Sequence, residues 1–154
     1  LKLRLAAVGK VKSKPFAAAC ADYEKRLRRY AKFELIEVKD VRGRSVPECQ
    51  LRESDSLQGA VLKGSRVVLL DESGELLTSR ELAARMDRDA QTGNGSWTLL
   101  IGGSDGHSAA LKAQAQFTWS LSPLTLPHEL ARVVVLEQLY RALTIRKGES
   151  YHRD

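Results

Sequence analysis

Apolar positions along this chain switch repeatedly between a period of two and a helical period, and the switching predicts ten elements. Leu1, Leu3 and Leu5 alternate with Lys2 and Arg4 before the run Ala6, Ala7, Val8, which reads as a strand ending at Gly9. After the basic loop 10–14, Ser13 is expected to cap a helix with Pro15 in its first turn, and Phe16, Ala19/Cys20, Tyr23, Leu27 and Tyr30 carry it to about Tyr30. Residues 33–38 alternate again. Ser45 and Pro47 open a second helix to about Lys63, with Gly64 as its stop. Residues 66–70 form a short buried strand closing on Asp71, Ser79 caps a third helix over 80–90, and residues 97–101 form a fourth strand. A short helix from Ser108 to about Ala115, a strand over 117–121 and a last helix from Pro127 and His128 to about Ile145 complete the chain. Strict β–α alternation predicts an α/β fold with helices packed on a mostly parallel sheet, in one domain over residues 1–154.

Charge changes this picture in one place. Residues 1–32 hold ten Lys/Arg against Asp22 and Glu24, a local +8, whereas the other 122 residues sum to −2. A solvated helix face explains basic residues but not their segregation, so the first fifth of the chain is read as a polyanion footprint. Cys20 and Cys49 lie in helical segments without CxxC spacing, are read as reduced thiols, and fit a cytoplasmic location. No run reaches the ~18 apolar residues of a membrane span, and no Cys/His cluster suggests a metal.

In a parallel sheet the carboxyl ends of the strands share one edge, where ligands bind. Three irregular segments fall there: Leu70 to Gly74, Gly102-Gly103-Ser104-Asp105-Gly106, and Ser122-Pro123-Leu124-Thr125-Leu126-Pro127. The glycine loop is GGxxG rather than GxGxxG and sits on a late strand, which argues against a dinucleotide enzyme. The SPLTLP loop has backbone donors, two prolines and no basic group, a wall suited to a purine and a sulfonium rather than a polyphosphate. His107 is expected in a solvated loop, His128 in a structural role, and Trp97 and Trp119 in the core. Arg141 lies one turn after Glu137, the spacing of an ion pair.

The segments LLDESG, LLIGGSDG, WSLSPLTLPHELARVVVLEQLYRA and the terminal YHR resemble the RlmH (YbeA-like) family of SPOUT methyltransferases, and the likeness extends to the opening LKLRLAAVGK and to FELIEV. The resemblance implies a SPOUT-type α/β knot with a C-terminal trefoil, and S-adenosylmethionine as methyl donor. It also implies methylation of ring nitrogen 3 of a pseudouridine in helix 69 of 23S ribosomal RNA, on the large subunit of the ribosome. It implies a cofactor site touching Leu70, Gly103, Ser122, Pro123, Leu124, Thr125, Leu126 and Pro127. It further implies a homodimer in which the tail of one subunit helps build the other's site, a pairing to which the apolar run Val133 to Leu136 lends weak support. Two positions depart from the family: Leu1 replaces the initiator Met, and Ser150 replaces the proline that precedes the Tyr-His pair, which loosens the expected tail.

On this reading methyl transfer is an in-line displacement dominated by positioning, and the acceptor N–H must also lose its proton. His152 has the right unperturbed pKa to receive it. Arg153 is suited to a phosphate or to developing negative charge, Tyr151 to stacking on a base, and the resemblance places Arg141 in the active site. Lys10, Lys12 and Lys14 in the first basic loop and Arg42 and Arg44 in the second are expected to follow the RNA backbone, giving affinity rather than base choice. The alternative is a non-catalytic RNA-binding module of the same fold.

Overall fold

The computed structural model describes all 154 residues. Five strands, β1 (Lys2–Val8), β2 (Lys32–Val38), β3 (Arg66–Leu76), β4 (Ser96–Ile101) and β5 (Phe117–Ser120), alternate with five helices. These are α1 (Lys14–Leu27), α2 (Val46–Gly59), α3 (Ser79–Gln91), α4 (Ala109–Gln114) and α5 (His128–Arg146). The strands form one sheet in the order β2-β1-β4-β3-β5, and every pairing is parallel.

Alternation within the strands divides the core in two. Leu3, Leu5, Ala7, Val68, Trp97, Leu99 and Trp119 face α1, α3 and α5, meeting Cys20, Leu27, Leu82, Met86, Val135, Leu136 and Leu139. Ala6, Val8, Val67, Leu69 and Leu100 face α2 and α4, meeting Leu57 and Leu111. Both faces are therefore covered, as a parallel sheet requires. The connections that carry α1 and α3 run one way across the sheet, and those that carry α2 and α4 run the other, so all crossovers share one hand. The direction changes between β1 and β4, which opens a crevice at their carboxyl ends.

Several boundaries differ from the sequence pattern for identifiable reasons. The α1 helix stops at Leu27, because the chain tightens through Tyr30 N–H to Leu27 C=O before Lys32 N–H reaches Leu1 C=O to start β2. Ser13 stands at the N-cap of α1 without capping it through its side chain. Instead Glu129 of α5 accepts from the backbone N–H groups of Lys12 (2.7 Å) and Ser13 (3.0 Å). The α2 helix ends at Gly59, and Gly64, at φ +76°, serves the turn into β3 rather than the helix stop. The cap of α3 is Thr78, not Ser79: Thr78 and Glu81 form a reciprocal capping box, and Ser79 Oγ turns to Gln138 (2.6 Å).

The largest departure is β3, which continues past Asp71 to Leu76. Trp119 of β5 pairs with both Leu70 and Glu75, so residues 71–74 bulge out of the ladder between them. The approach is close enough that a Cβ on Gly74 would lie 2.6 Å from the carbonyl carbon and oxygen of Thr118 and 2.7 Å from the carbonyl carbon of Trp119.

The α2 helix holds the glycine loop from the other side. Gln50 Nε2 donates to Asp105 C=O (2.9 Å), Ser54 Oγ accepts from Ser108 N–H (2.8 Å), and Glu53 packs under Gly103. His107, expected in solvent, is instead 2% exposed, because the loop folds it beneath β3. Its Nε2–H donates to Leu70 C=O (3.2 Å), and burial pushes its pKa below 6.5 although that hydrogen bond opposes the shift.

Replacing Gly74 by Ala is expected to cost stability at the upper end of the ~1–3 kcal/mol typical of overpacking, since only backbone stands in the way. Urea unfolding with an unchanged slope is the measurement, and a midpoint equal to wild type would contradict the close approach. His107 gives a pH dependence. Its folded pKa lies below the unfolded value of 6.5, so the stability held by the neutral ring is complete above that pH and is lost as pH falls through the folded pKa. In an NMR titration its ring is expected to protonate below pH 6.5, whereas titration at or above 6.5 would be inconsistent with its burial.

Candidate functional site

The carboxyl ends of β3, β4 and β5 enclose a cavity of about 570 Å³. Of the eight positions predicted to hold a cofactor, Leu70, Gly103, Ser122, Leu124 and Leu126 line it. Pro123, Thr125 and Pro127 do not line it; they shape the loop, and Pro127 stands at the N-cap of α5. Ser122 Oγ accepts from Leu124 N–H (2.9 Å) and Ser120 Oγ donates to Ser122 C=O (3.1 Å), so the loop is braced by its own serines. Leu124 is 73% exposed, a large apolar side chain left at the mouth.

Pattern reading missed much of the lining. Trp119 is core, as expected, but its edge also reaches the cavity. His107 contributes a buried wall, with an Nδ1 that has no hydrogen-bond partner. His128, expected to be structural, is exposed and lines the cavity at the start of α5. The charged groups on the wall are Asp71, Glu72, Asp105 and Lys112, a net negative set that suits a cation and repels a polyphosphate. Asp71, Glu72 and Asp105 fall in the strand-end segments expected at the ligand edge, and Lys112 does not.

A second cavity of about 280 Å³ lies at the crevice between β1 and β4. Three of the five predicted RNA-binding residues, Lys10, Lys12 and Arg42, line it together with Glu53 and Gly103. Lys14 is exposed at the start of α1, and Arg44 turns away to Glu48 (3.5 Å). Arg42 is tied to Asp40 (2.7 Å). Buried Arg132 of α5 supports this wall from below, donating to Glu37 (2.5 Å) and to Gly9 C=O (2.9 Å).

The predicted catalytic residues gather elsewhere. Arg141 donates to Glu137 from Nε (2.9 Å) and Nη2 (2.5 Å), the ion pair that its spacing predicted, and also to His152 Nδ1 from Nη1 (3.2 Å). Tyr151 stacks edge-on against Tyr140 at 4.7 Å, lies 4.8 Å from the Arg141 guanidinium and donates to Glu137 (3.1 Å). Burial raises the Tyr151 pKa, so the phenol keeps its proton. His152 Nε2 faces Asp154 (3.1 Å), whose pKa is held at about 2 by Arg80. Arg153 is exposed. Tyr30 secures the approach to the tail through Glu149 (2.6 Å), a bond that pushes its phenol up to about 12. No residue from 141 to 154 lines the large cavity of its own chain. The wall of the large cavity and the tail are thus two separate clusters within one subunit.

Residues 1–152 match the family model described as predicted SPOUT methyltransferase. The ribosomal RNA large subunit methyltransferase H of Gloeobacter violaceus is 41% identical over 152 residues, covering 99% of this chain and 99% of that protein. The protein of the same name from Anaeromyxobacter sp. (strain Fw109-5) is 44% identical over 154 residues, covering 99% and 100%. Among solved structures, a probable methyltransferase from Bordetella pertussis Tohama I superposes with a TM-score of 0.56 at 18% identity over 92% of this chain and 96% of that one, a likeness of fold. With its parallel sheet, its glycine loop and its SPLTLP wall in place, the chain belongs to the SPOUT methyltransferase family, among the relatives named ribosomal RNA large subunit methyltransferase H.

Proposed function

We propose that the chain is an S-adenosylmethionine-dependent methyltransferase of large-subunit ribosomal RNA, and that its target is ring nitrogen 3 of a pseudouridine in helix 69. The observation that carries this reading is the 570 Å³ cavity: its size falls in the ~300–1,000 Å³ range of cofactor sites, its wall is apolar at Leu70, Leu121 and Leu126, and its charge is net negative. Those features fit a purine and a positively charged sulfonium. When bound there, S-adenosylmethionine supplies an electrophilic methyl group.

The chain's own residues do the rest. Leu70, Leu121 and Leu126 exclude water, and the braced serine loop fixes the floor, so the reacting atoms are held rather than searched for. The remaining requirement is removal of the imide proton. His152 is the base in this proposal: as Arg141 turns to the ring to offset the charge that develops there, it frees His152 Nδ1 to take the proton, with Arg153 adding charge and Tyr151 stacking on the nucleobase. Because the tail lies apart from the cavity of its own chain, the homodimer implied by the family supplies these groups in trans, and the threaded C-terminal knot belongs to the same expectation. Lys10, Lys12, Lys14, Arg42 and Arg44 carry the RNA backbone; Arg42 and Arg44 must first exchange their carboxylate partners for phosphates.

Gly103→Leu is expected to lower S-adenosylmethionine affinity tenfold or more in calorimetry, since even a Cβ there would meet Glu53 Oε1 at 2.8 Å. Unchanged affinity in a folded variant would remove the cavity from the mechanism. His152→Ala should leave that affinity intact and reduce methylation by roughly 10²–10⁴, the scale of a lost general base. Mass spectrometry of ribosomal RNA from cells lacking the gene and carrying the variant is the measurement. A fully methylated pseudouridine would exclude His152, and one unaffected by loss of the gene would exclude the target.

A further inference from the structure

The smaller cavity contains a buried group that the mechanism above does not use. Glu53, on α2, is 4% exposed and lines that cavity beside Lys10, Lys12 and Arg42. Its Oε2 accepts from Val41 N–H at 2.9 Å, which ties the second basic loop to the helix. Its Oε1 has no hydrogen-bond partner, and Glu53 forms no ion pair with any of the basic residues around it. An acceptor oxygen kept out of water with no donor weakens the fold, and a ligand that brings a donor removes that penalty.

The position of the cavity says what that ligand touches. It lies at the crevice between β1 and β4, where the crossovers change direction, and it meets the cofactor cavity along Gly103, Ser104, Asp105 and His128. A ring seated in it would therefore present one edge to the large cavity and another to α2. Its volume, about half that of its neighbour, suits a single base extruded from its stack. Lys10 and Lys12, which hold no carboxylate, stand on the rim where the flanking phosphates of such a base would pass.

Pseudouridine and uridine have the same shape and the same imide edge. They differ in the ring atom that bears the sugar: pseudouridine, joined through C5, has a free N1–H where uridine, joined through N1, has C5–H. Only the former donates a strong hydrogen bond. The geometry points to Glu53 as the reader of that difference: the smaller cavity takes the acceptor pyrimidine with N3 toward the cofactor, and Glu53 Oε1 accepts from the N1–H that uridine lacks. This rests on the methyltransferase reading above and adds to it a residue for substrate choice. A buried acceptor left without its donor discriminates more sharply than a missing apolar contact, because the unpaired group is then penalised.

The test uses ribosomes from cells lacking this gene, with the target nucleotide as pseudouridine or, in a strain also lacking the pseudouridine synthase, as uridine. Wild-type protein is expected to favour pseudouridine in kcat/KM by roughly tenfold to a hundredfold, the worth of a hydrogen bond to a charged group. In Glu53→Gln the amide can keep the Val41 contact with its carbonyl and turn its NH2 toward the ring, so the preference should collapse to about threefold or less. A folded variant that keeps the wild-type preference overturns the proposal. So do equal wild-type rates on the two ribosomes, a result that needs no variant and leaves the methyltransferase reading intact. Methylation of neither ribosome by wild type overturns that reading, and this proposal with it.

Discussion

The contact between β3 and β5 at Gly74 is the constraint on which the wall of the large cavity depends. A ladder that uses Trp119 twice, once with Leu70 and once with Glu75, leaves four residues of β3 with no place in the sheet. They bulge over the carboxyl edge, and Asp71, Glu72 and Ser73 thereby become lining of the large cavity. The bulge closes only because Gly74 lets two backbones approach with no side chain between them. The same pairing holds Trp119 in place and carries the chain straight into the SPLTLP loop.

A second set of contacts fixes the opposite wall. Gln50, Glu53 and Ser54 occupy one stripe of α2, in line with buried Leu57, and each meets the glycine loop or its flank. Loops that contact ligands are commonly the mobile part of a fold. Here three polar side chains on a rigid helix restrain one such loop, and buried His107 anchors its far end to β3. The local preorganisation that methyl transfer needs is thus built from secondary structure rather than from the loop itself.

The architecture was legible because each β–α unit carries its own period and its own stop, and all ten elements lie where the switching puts them. What was not legible depends on contacts between residues distant in sequence. The extension of β3 beyond Asp71 is dictated by β5, some 45 residues later. His107 follows a glycine loop and so reads as solvated, and nothing local reveals that β3 covers it. Thr78 competes with Ser79 for the same cap, and Glu81, three residues after Thr78, was the signal that decides between them. At the site, Leu70, Gly103 and part of the SPLTLP loop came from the resemblance and line the cavity, whereas Glu53 carried only a weak local sign, an acidic residue on the apolar stripe of a helix. The tail residues cluster as a group around Arg141, but their distance from the cavity is a matter of how the chain folds back, which spacing does not encode.

The two cavities share a partition made of Gly103, Ser104, Asp105 and His128. A partition so thin cannot respond to one side alone. Whatever settles the loop for an occupant of the large cavity also settles it for an occupant of the small one, and thermodynamic linkage makes the two effects equal in size. Donor and acceptor would then bind with a reciprocal coupling free energy, carried by these four residues and by the α2 side chains beneath the loop.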